Sequence, residues 1–351
     1  MFGIKATPRD PQAGEALQPV FQLHPTRRCN LRCLHCYSDS SPEQRDSLTI
    51  AQLTDALTDA REQGYLTASF SGGEPLLFQG LGTLLQHAKS LGMRTTVTSN
   101  GMLLNEARLS EIAKYTDVLA ISLDGVPESH DRMRNYSGAF DRMAENLPAV
   151  RASGVPFGFL FTLTQHNVDE AEWAAEFAVK QGATLFQIHP LEEVGRATET
   201  LRGLRPDATE SAFAFLEAGR IRKAWGKKLF VQLDVFHREL VARHPERFHA
   251  GEIPRILPVN LAACVTPLVL EADGTMVPVG YGFSRDYAIG NIRERRLRDA
   301  GPAWIAHGYP AFRELCKQVY EEACRPSDLP FFNWHEMLQA RAAERQLVNI
   351  G

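Results

Sequence analysis

The chain has 351 residues, 38 Lys and Arg against 42 Asp and Glu, a formal net charge of −4 and 44% hydrophobic residues. That length and apolar content allow a sizeable core in two units, and the acidic balance argues against a nucleic-acid partner, whose phosphates reward an excess of cations. No apolar run is long enough to cross a bilayer, and neither a lipidation signal nor a secretory signal is present, so a cytoplasmic protein with reduced thiols is expected.

After an N-terminal extension, residues 1–17, the run Val20 to Leu23 reads as a strand leading into Cys29-Asn-Leu-Arg-Cys33-Leu-His-Cys36. Each iron of a cubane iron–sulfur cluster takes a thiolate, so three thiolates from one loop leave the fourth iron open to a small molecule. Structural zinc is the rival, with His24 or His35 as a fourth ligand, but no second Cys-x-x-Cys pair follows. A disulfide framework has neither the compartment nor the small core that would call for one.

Apolar residues recur at three and four in Ile50 to Arg61, Leu81 to Leu91, Glu106 to Lys114 and Asp169 to Lys180, the period of helices. Between them stand strand-like runs: Leu66 to Phe70, Arg94 to Thr98, Asp117 to Ile121, Pro156 to Leu163 and Thr184 to His189. Six strands alternating with helices argue an α/β fold with a parallel sheet and right-handed crossovers. Polar residues at the carboxyl ends of such strands converge on one mouth. The first of these ends is Ser71-Gly72-Gly73-Glu74-Pro75, where paired glycines let backbone approach a ligand and a carboxylate can accept from an ammonium group. The next are Ser99-Asn100-Gly101 and Ser122-Leu123-Asp124-Gly125, which also make good turns.

Cys-x3-Cys-x2-Cys after a first strand, followed one β/α unit later by Gly-Gly-Glu-Pro, resembles the signature of the radical S-adenosylmethionine (SAM) enzymes. The resemblance implies an open (β/α)6 partial TIM-like barrel, here residues 18–225, with a [4Fe–4S] cluster on Cys29, Cys33 and Cys36. In that family SAM chelates the open iron, and the reduced cluster cleaves it to a 5′-deoxyadenosyl radical. It implies that Gly72, Gly73, Glu74 and Pro75 hold the SAM amino group, that Ser99 and Ser122 face SAM, and that Asn100 and Asp124 shape the ribose region. By the same resemblance Arg134, rather than Arg132, in His130-Asp-Arg-Met-Arg134 meets the SAM carboxylate. Leu191, within Pro190 to Ala197, would lie against the adenine with His35 on its other side.

Beyond the barrel, Pro206 to Trp225 reads as an amphipathic helix, and residues 226–260 read as a bridging region with a strand at Leu229 to Leu233 and a short helix at His237 to His244. Residues 261–351 resemble the smaller α+β auxiliary-cluster domain of peptide-maturing radical SAM enzymes, known as SPASM, or twitch when shortened. Cys264, Gly274, the strand-turn-strand Leu268 to Val279 and Gly290-Asn291-Ile292 keep its layout, whereas Val279 and Val319 stand where cysteines are expected. The remaining Cys264, Cys316 and Cys324 are either relics packed in a core, or the ligands of one auxiliary cluster completed by His307, His335 or substrate. In a third reading, Cys264 or Cys324 donates a hydrogen atom to a substrate radical. The basic run Arg293 to Arg298 reads as a solvated helix face.

The subgroup resembled here modifies ribosomally made peptides by crosslinking, epimerisation or splicing, and the missing cysteines favour redox-neutral outcomes. Only about twenty residues precede the first strand, too few for a peptide-binding module, so a separate leader-binding protein is expected beside an electron donor such as flavodoxin or ferredoxin. A radical SAM enzyme of small-molecule synthesis is the alternative, and a non-catalytic iron–sulfur sensor is a reading of another class. On the substrate side the candidate catalytic residues are His189 and Glu192, with Gln187 and Asp234 beside them, all expected at the barrel mouth.

Overall fold

The computed structural model describes residues 18–250, 260–327 and 330–350, with side chains as far as 344. The expected N-terminal extension and residues 251–259 of the bridging region lie outside the described residues. Seven parallel strands follow one another across the sheet: β1 (Val20–Leu23), β2 (Thr67–Phe70), β3 (Arg94–Ser99), β4 (Val118–Ser122), β5 (Phe157–Leu163), β6 (Leu185–Pro190) and β7 (Phe230–Leu233). Helices α1 (Ile50–Glu62), α2 (Leu81–Ser90), α3 (Glu106–Ile112), α4 (Pro127–Arg134), α5 (Ala139–Ala152), α6 (Ala171–Gln181), α7 (Ala197–Thr200) and α8 (Ala208–Trp225) make the crossovers. Thr49 and Gln52 close a capping box at the start of α1, and Asp207 and Glu210 do the same for α8, each satisfying backbone N–H groups that have no partner within the helix.

Strand side chains alternate between two faces, and the register shows which face meets the helices. Phe21, Ala68, Leu119, Phe159, Phe186 and Val231 lie in the buried core shared with the helices. The other face carries Gln22, Ser69, Thr98, Ser122, Thr162, Gln187 and Gln232 with Ala120 and Leu160 among them; Gln22 pairs with Ser69 and Gln187 with Gln232. A closed (β/α) barrel fills its interior with branched aliphatic layers. This inner face is mainly polar, as a chamber for a polar guest requires.

After β7 come β8 (Phe236–His237) and α9 (Arg238–Ala242), then β9 (Leu268–Leu270), β10 (Thr275–Pro278) and β11 (Gly290–Asn291). The C-terminal strands do not build a sheet of their own. β9 pairs in parallel with β1, and β10 and β11 continue antiparallel, giving one ten-stranded sheet in the order β11-β10-β9-β1-β2-β3-β4-β5-β6-β7. The bare edge of β1 is thereby paired, which removes an exposed row of backbone donors and acceptors. Helices α10 (Leu297–His307), α11 (Tyr309–Ala323) and α12 (Trp334–Ile350) pack behind, with β12 (Phe331–Phe332) paired to β8.

The basic run Arg293 to Arg298 is exposed at Arg293, Glu294, Arg295 and Arg298 as expected, but it begins as a turn ahead of α10 and its Arg296 is half-buried. Arg296 grips Asp59 of α1 through two bonds, Nη2 to Oδ1 at 2.6 Å and Nε to Oδ2 at 3.0 Å, and Asp59 is 1% exposed. This clamp fixes α10 to the barrel, and the approach of two distant segments creates it.

Candidate active site

Cys29 and Cys33 are buried and Cys36 is half-buried, in one cluster with Leu31, Met102 and Ala139. Their loop is tied down from three sides. Gly73 and Glu74 donate their backbone N–H to the carbonyls of Thr26 and Arg28, at 2.9 and 3.0 Å. Arg196 donates to the carbonyls of Cys33 and Ser40, both at 2.9 Å, and pairs with Asp39 at 2.6 Å. Leu34 N donates to Met133 O at the end of α4. Burial pushes the Cys29 thiol up strongly and lifts Cys33 to about 11, partly opposed by the Arg134 charge, so iron must displace protons to bind here.

Each thiol faces one N–H donor: Cys36 Sγ the backbone N of Ser40 at 3.3 Å, Cys33 Sγ the Nη1 of Arg134 at 3.8 Å, and Cys29 Sγ the Nδ2 of Asn100 at 4.0 Å. Among the described residues no three His, Cys, Asp or Glu side chains close round one point as the ligands of a single metal ion do. A cubane instead spreads its thiolates over separate irons.

The glycine pair serves the loop first. A Cβ on Gly73 would lie 2.2 Å from the Arg28 carbonyl oxygen, so only glycine lets the end of β2 seat against the cysteine loop. Glu74, 1% exposed, accepts from Ser99 Oγ and Asn100 N at 2.9 Å and from Leu76 N at 3.2 Å. Burial outweighs these bonds and raises its pKa to about 7. Its carboxylate is thus a strut between β2 and β3, with both oxygens engaged by the protein. Pro75 opens a 3₁₀ turn behind it.

Ser99 also departs from expectation. In register it pairs with Ile121, on the helix-facing side, and its hydroxyl is spent on Glu74, whereas Ser122 pairs with Leu160 on the inner face. Asn100 reaches the cysteine loop, donating to Asn30 Oδ1 at 2.9 Å. Asp124 is fully buried, and its Oδ2 lies 2.7 Å from Arg134 Nη2, at an angle that forms no hydrogen bond. Burial alone would raise the Asp124 carboxyl; Arg134, with His35 and His130 beside it, holds it below the usual range. Burial drives both histidines down to about 4, so they stay neutral. Leu191 is 1% exposed and packs with Met133, Ala197 and Leu201.

At the ends of β6 and β7 a second polar group forms. Asp234 accepts from Gln187 Nε2 at 2.6 Å, from Gln232 Nε2 at 2.7 Å and from His189 Nδ1 at 3.0 Å. The other nitrogen of His189 stands 3.6 Å from Glu192, and its side chain is 40% exposed. Burial would lower the imidazole, but the Asp234 bond and the two carboxylate charges raise it to about 9. His335, lowered chiefly by burial, lies within electrostatic reach of the same groups.

The C-terminal cysteines stand differently. Cys264 and Cys316 are buried in the main core, both with thiols pushed up to about 12 by burial, and Cys324 is half-buried beside Tyr320. His307 is exposed at the end of α10.

Several participants carry no motif of their own. Tyr37 bonds Ser71 through its hydroxyl at 2.9 Å, and His24 stacks on Tyr281 of the C-terminal region with ring centres 4.7 Å apart. Chain position gave a hint of Tyr37, which follows Cys36; nothing local signals Tyr281. Buried nitrogens without a hydrogen-bond partner include His24 Nδ1, His35 Nδ1 and Arg134 Nε, and Asp124 Oδ2 has only its ion-pair contact with Arg134. Such atoms are costly to bury unless a ligand satisfies them. Three clustered thiols, each with a donor, beside orphaned donors and acceptors and a polar chamber, fit a [4Fe–4S] cluster with a charged, ribose-bearing ligand.

Fold and site together define a partial-barrel protein built around a loop of three clustered cysteines. Residues 23–178 match the family model described as the Radical SAM superfamily. It is 25% identical over 303 residues to Fe-coproporphyrin III synthase of Methanosarcina barkeri (strain Fusaro / DSM 804), covering 79% of this chain and 72% of that protein. It is 28% identical over 310 residues to the sporulation killing factor maturation protein SkfB of Bacillus subtilis (strain 168), covering 88% and 71%. The fold is that of Streptococcus suis SuiB, solved bound to S-adenosylmethionine, with a TM-score of 0.65, 18% identity, and coverage of 84% of this chain and 68% of that one.

Proposed function

We propose that this chain is a radical SAM enzyme that modifies a ribosomally made peptide, by crosslinking, epimerisation or splicing. The observation that carries the reading is the meeting of three clustered thiols with Arg134 and His35, each of which keeps a buried nitrogen without a hydrogen-bond partner. When bound, the cluster and SAM supply reductive cleavage of the sulfonium and a 5′-deoxyadenosyl radical. The protein supplies position and electrostatics. Cys29, Cys33 and Cys36 hold the cluster, and Arg196, Gly73 and Glu74 fix their loop against the barrel. Arg134 and His35 present nitrogen atoms toward the SAM region, and Ser122 lines the inner face. His189, held cationic by Asp234, stands on the substrate side of the chamber with Glu192, where it can donate a proton or a hydrogen bond.

The peptide substrate is supported by SkfB, a maturation protein, and by SuiB, which has been solved bound to its precursor peptide SuiA. Small-molecule chemistry is the second reading, favoured by the relative that makes Fe-coproporphyrin III. A non-catalytic iron–sulfur protein would have no use for the orphaned donors and polar chamber. We place the protein in the cytoplasm, served by a low-potential donor such as flavodoxin or ferredoxin and by a separate leader-peptide-binding protein; among the described residues no helix is long and apolar enough to cross a membrane. The barrel, the bridging region and the degenerate SPASM/twitch-like region remain our division of the chain. Cys264 and Cys316 lie within the main apolar core, whereas Cys29, Cys33 and Cys36 form a cluster of their own, and that contrast supports the relic reading over an auxiliary cluster.

Anaerobic incubation with SAM and dithionite, followed by chromatography for 5′-deoxyadenosine, tests the enzyme. Cys29→Ala and Cys33→Ala should abolish the product, and formation at the parental rate would refute the reading. Mass analysis of a co-encoded short peptide after incubation then separates peptide from small-molecule substrates.

A further inference from the structure

We propose that Arg134 sets the reduction potential of the cluster, by holding a positive charge against the Cys33 sulfur. The inference rests on the cluster assigned to Cys29, Cys33 and Cys36 under the proposed function. Arg134 is the last residue of α4 and 6% exposed. Two contacts fix its guanidinium: Nη2 beside Asp124 at 2.7 Å, and Nη1 donating to Cys33 Sγ at 3.8 Å. The backbone bond from Leu34 N to Met133 O locks this end of α4 to the cysteine loop, so the distance from cation to sulfur is built into the fold.

Of the donors that face the thiols, those from Ser40, Asn100 and the Ser38 hydroxyl are neutral and only Arg134 carries charge. Reduction adds one electron to a site walled off from water, where a charge is screened little. A cation in contact with a cluster sulfur stabilises the reduced state more than the oxidised one and so raises the potential, the recognised effect of hydrogen bonds and charge near such clusters. Asp124 opposes the same charge from the far side, which keeps the pair neutral while its positive end faces the sulfur. This role differs from contact with the SAM carboxylate, for which the orphaned Nε remains.

The test is an EPR-monitored redox titration of the anaerobically reconstituted full chain without SAM, so that any loss of SAM affinity leaves the reading intact. Arg134→Gln removes the charge, and its cluster should become harder to reduce by about tenfold in the equilibrium constant, which is about 59 mV for a one-electron couple. Arg134→Lys keeps the charge but lacks the planar fork that touches Asp124 and sulfur together, and should fall by less. Equal potentials in parent and both variants, at equal iron and sulfide content, would overturn the proposal. If Arg134→Gln assembles no cluster, Asp124→Asn decides: it removes the opposing charge and leaves the cation on the sulfur, so a raised potential supports the role and a parental one refutes it. A parent chain that takes up no iron and sulfide would instead sink the functional reading.

Discussion

Substituting Gly195 by alanine should unseat the cysteine loop without unfolding the barrel. Gly195 sits between β6 and α7 with φ +61°, and a Cβ there would lie 2.3 Å from the Tyr37 carbonyl oxygen and 2.6 Å from that of Cys36. Both obstructing atoms are backbone and cannot rotate away. A left-handed conformation costs an alanine about 1–2 kcal/mol, and overpacking costs about 1–3 kcal/mol. Together they disfavour the docked loop by about 2–5 kcal/mol, roughly thirtyfold to several thousandfold in its population. An affinity that depends on a minor conformation falls by the fraction populated, so iron uptake should fall with it. Iron and sulfide per chain after anaerobic reconstitution measure the effect, with far-UV circular dichroism as the check on the fold. Parental iron and sulfide in Gly195→Ala would show that the loop does not depend on this contact.

Other outcomes follow from the same geometry. Burial holds Glu74 at about 7. A carboxyl raised on folding favours the native state while protonated, so that contribution is complete below the ordinary carboxylate range and disappears as pH rises through about 7. Melting curves of the cluster-free chain should therefore decline over that window and flatten in Glu74→Gln; parallel curves would contradict the burial argument. His189, raised to about 9 by Asp234 and Glu192 against the pull of burial, stabilises the fold fully below the ordinary imidazole value, and loses that effect as pH rises through about 9. Ring-proton NMR should return its titration toward the ordinary value in Asp234→Asn, and an unchanged midpoint would refute the dyad. Arg296→Ala leaves the buried Asp59 carboxylate with only the longer Arg298 contacts and should lower the urea midpoint. A loss below about 1 kcal/mol would place the clamp with ordinary surface pairs.

Periodicity and motif spacing located the barrel's strands and helices α1, α2, α3, α6 and α8 to within a residue or two, but named no helix at α4, α5 or α7: Val20 to Leu23 coincides with β1, and Ile50 to Arg61 stops one residue short of α1. They also picked out the three cysteines that the fold gathers. These are local properties, since side-chain period, capping and ligand spacing are set by neighbours in the chain. Where a side chain points at a strand end is a finer matter, because one residue of register exchanges the two faces. Ser99 went to the helix side and Ser122 to the chamber for that reason.

Partners drawn from far along the chain were decided only by the tertiary structure. Arg134 is committed to Asp124 and Cys33, Asp234 gathers two glutamines and His189, Arg296 clamps Asp59, and β9 adds to the edge of β1. An ion pair or a strand pairing depends on where two segments meet, and a buried charge takes whichever counter-charge the fold places within a few ångströms. The sequence alone determined which chemistry is present, through its cysteines and strand-end motifs. The fold decided which of those groups face a ligand and which were already taken by the protein.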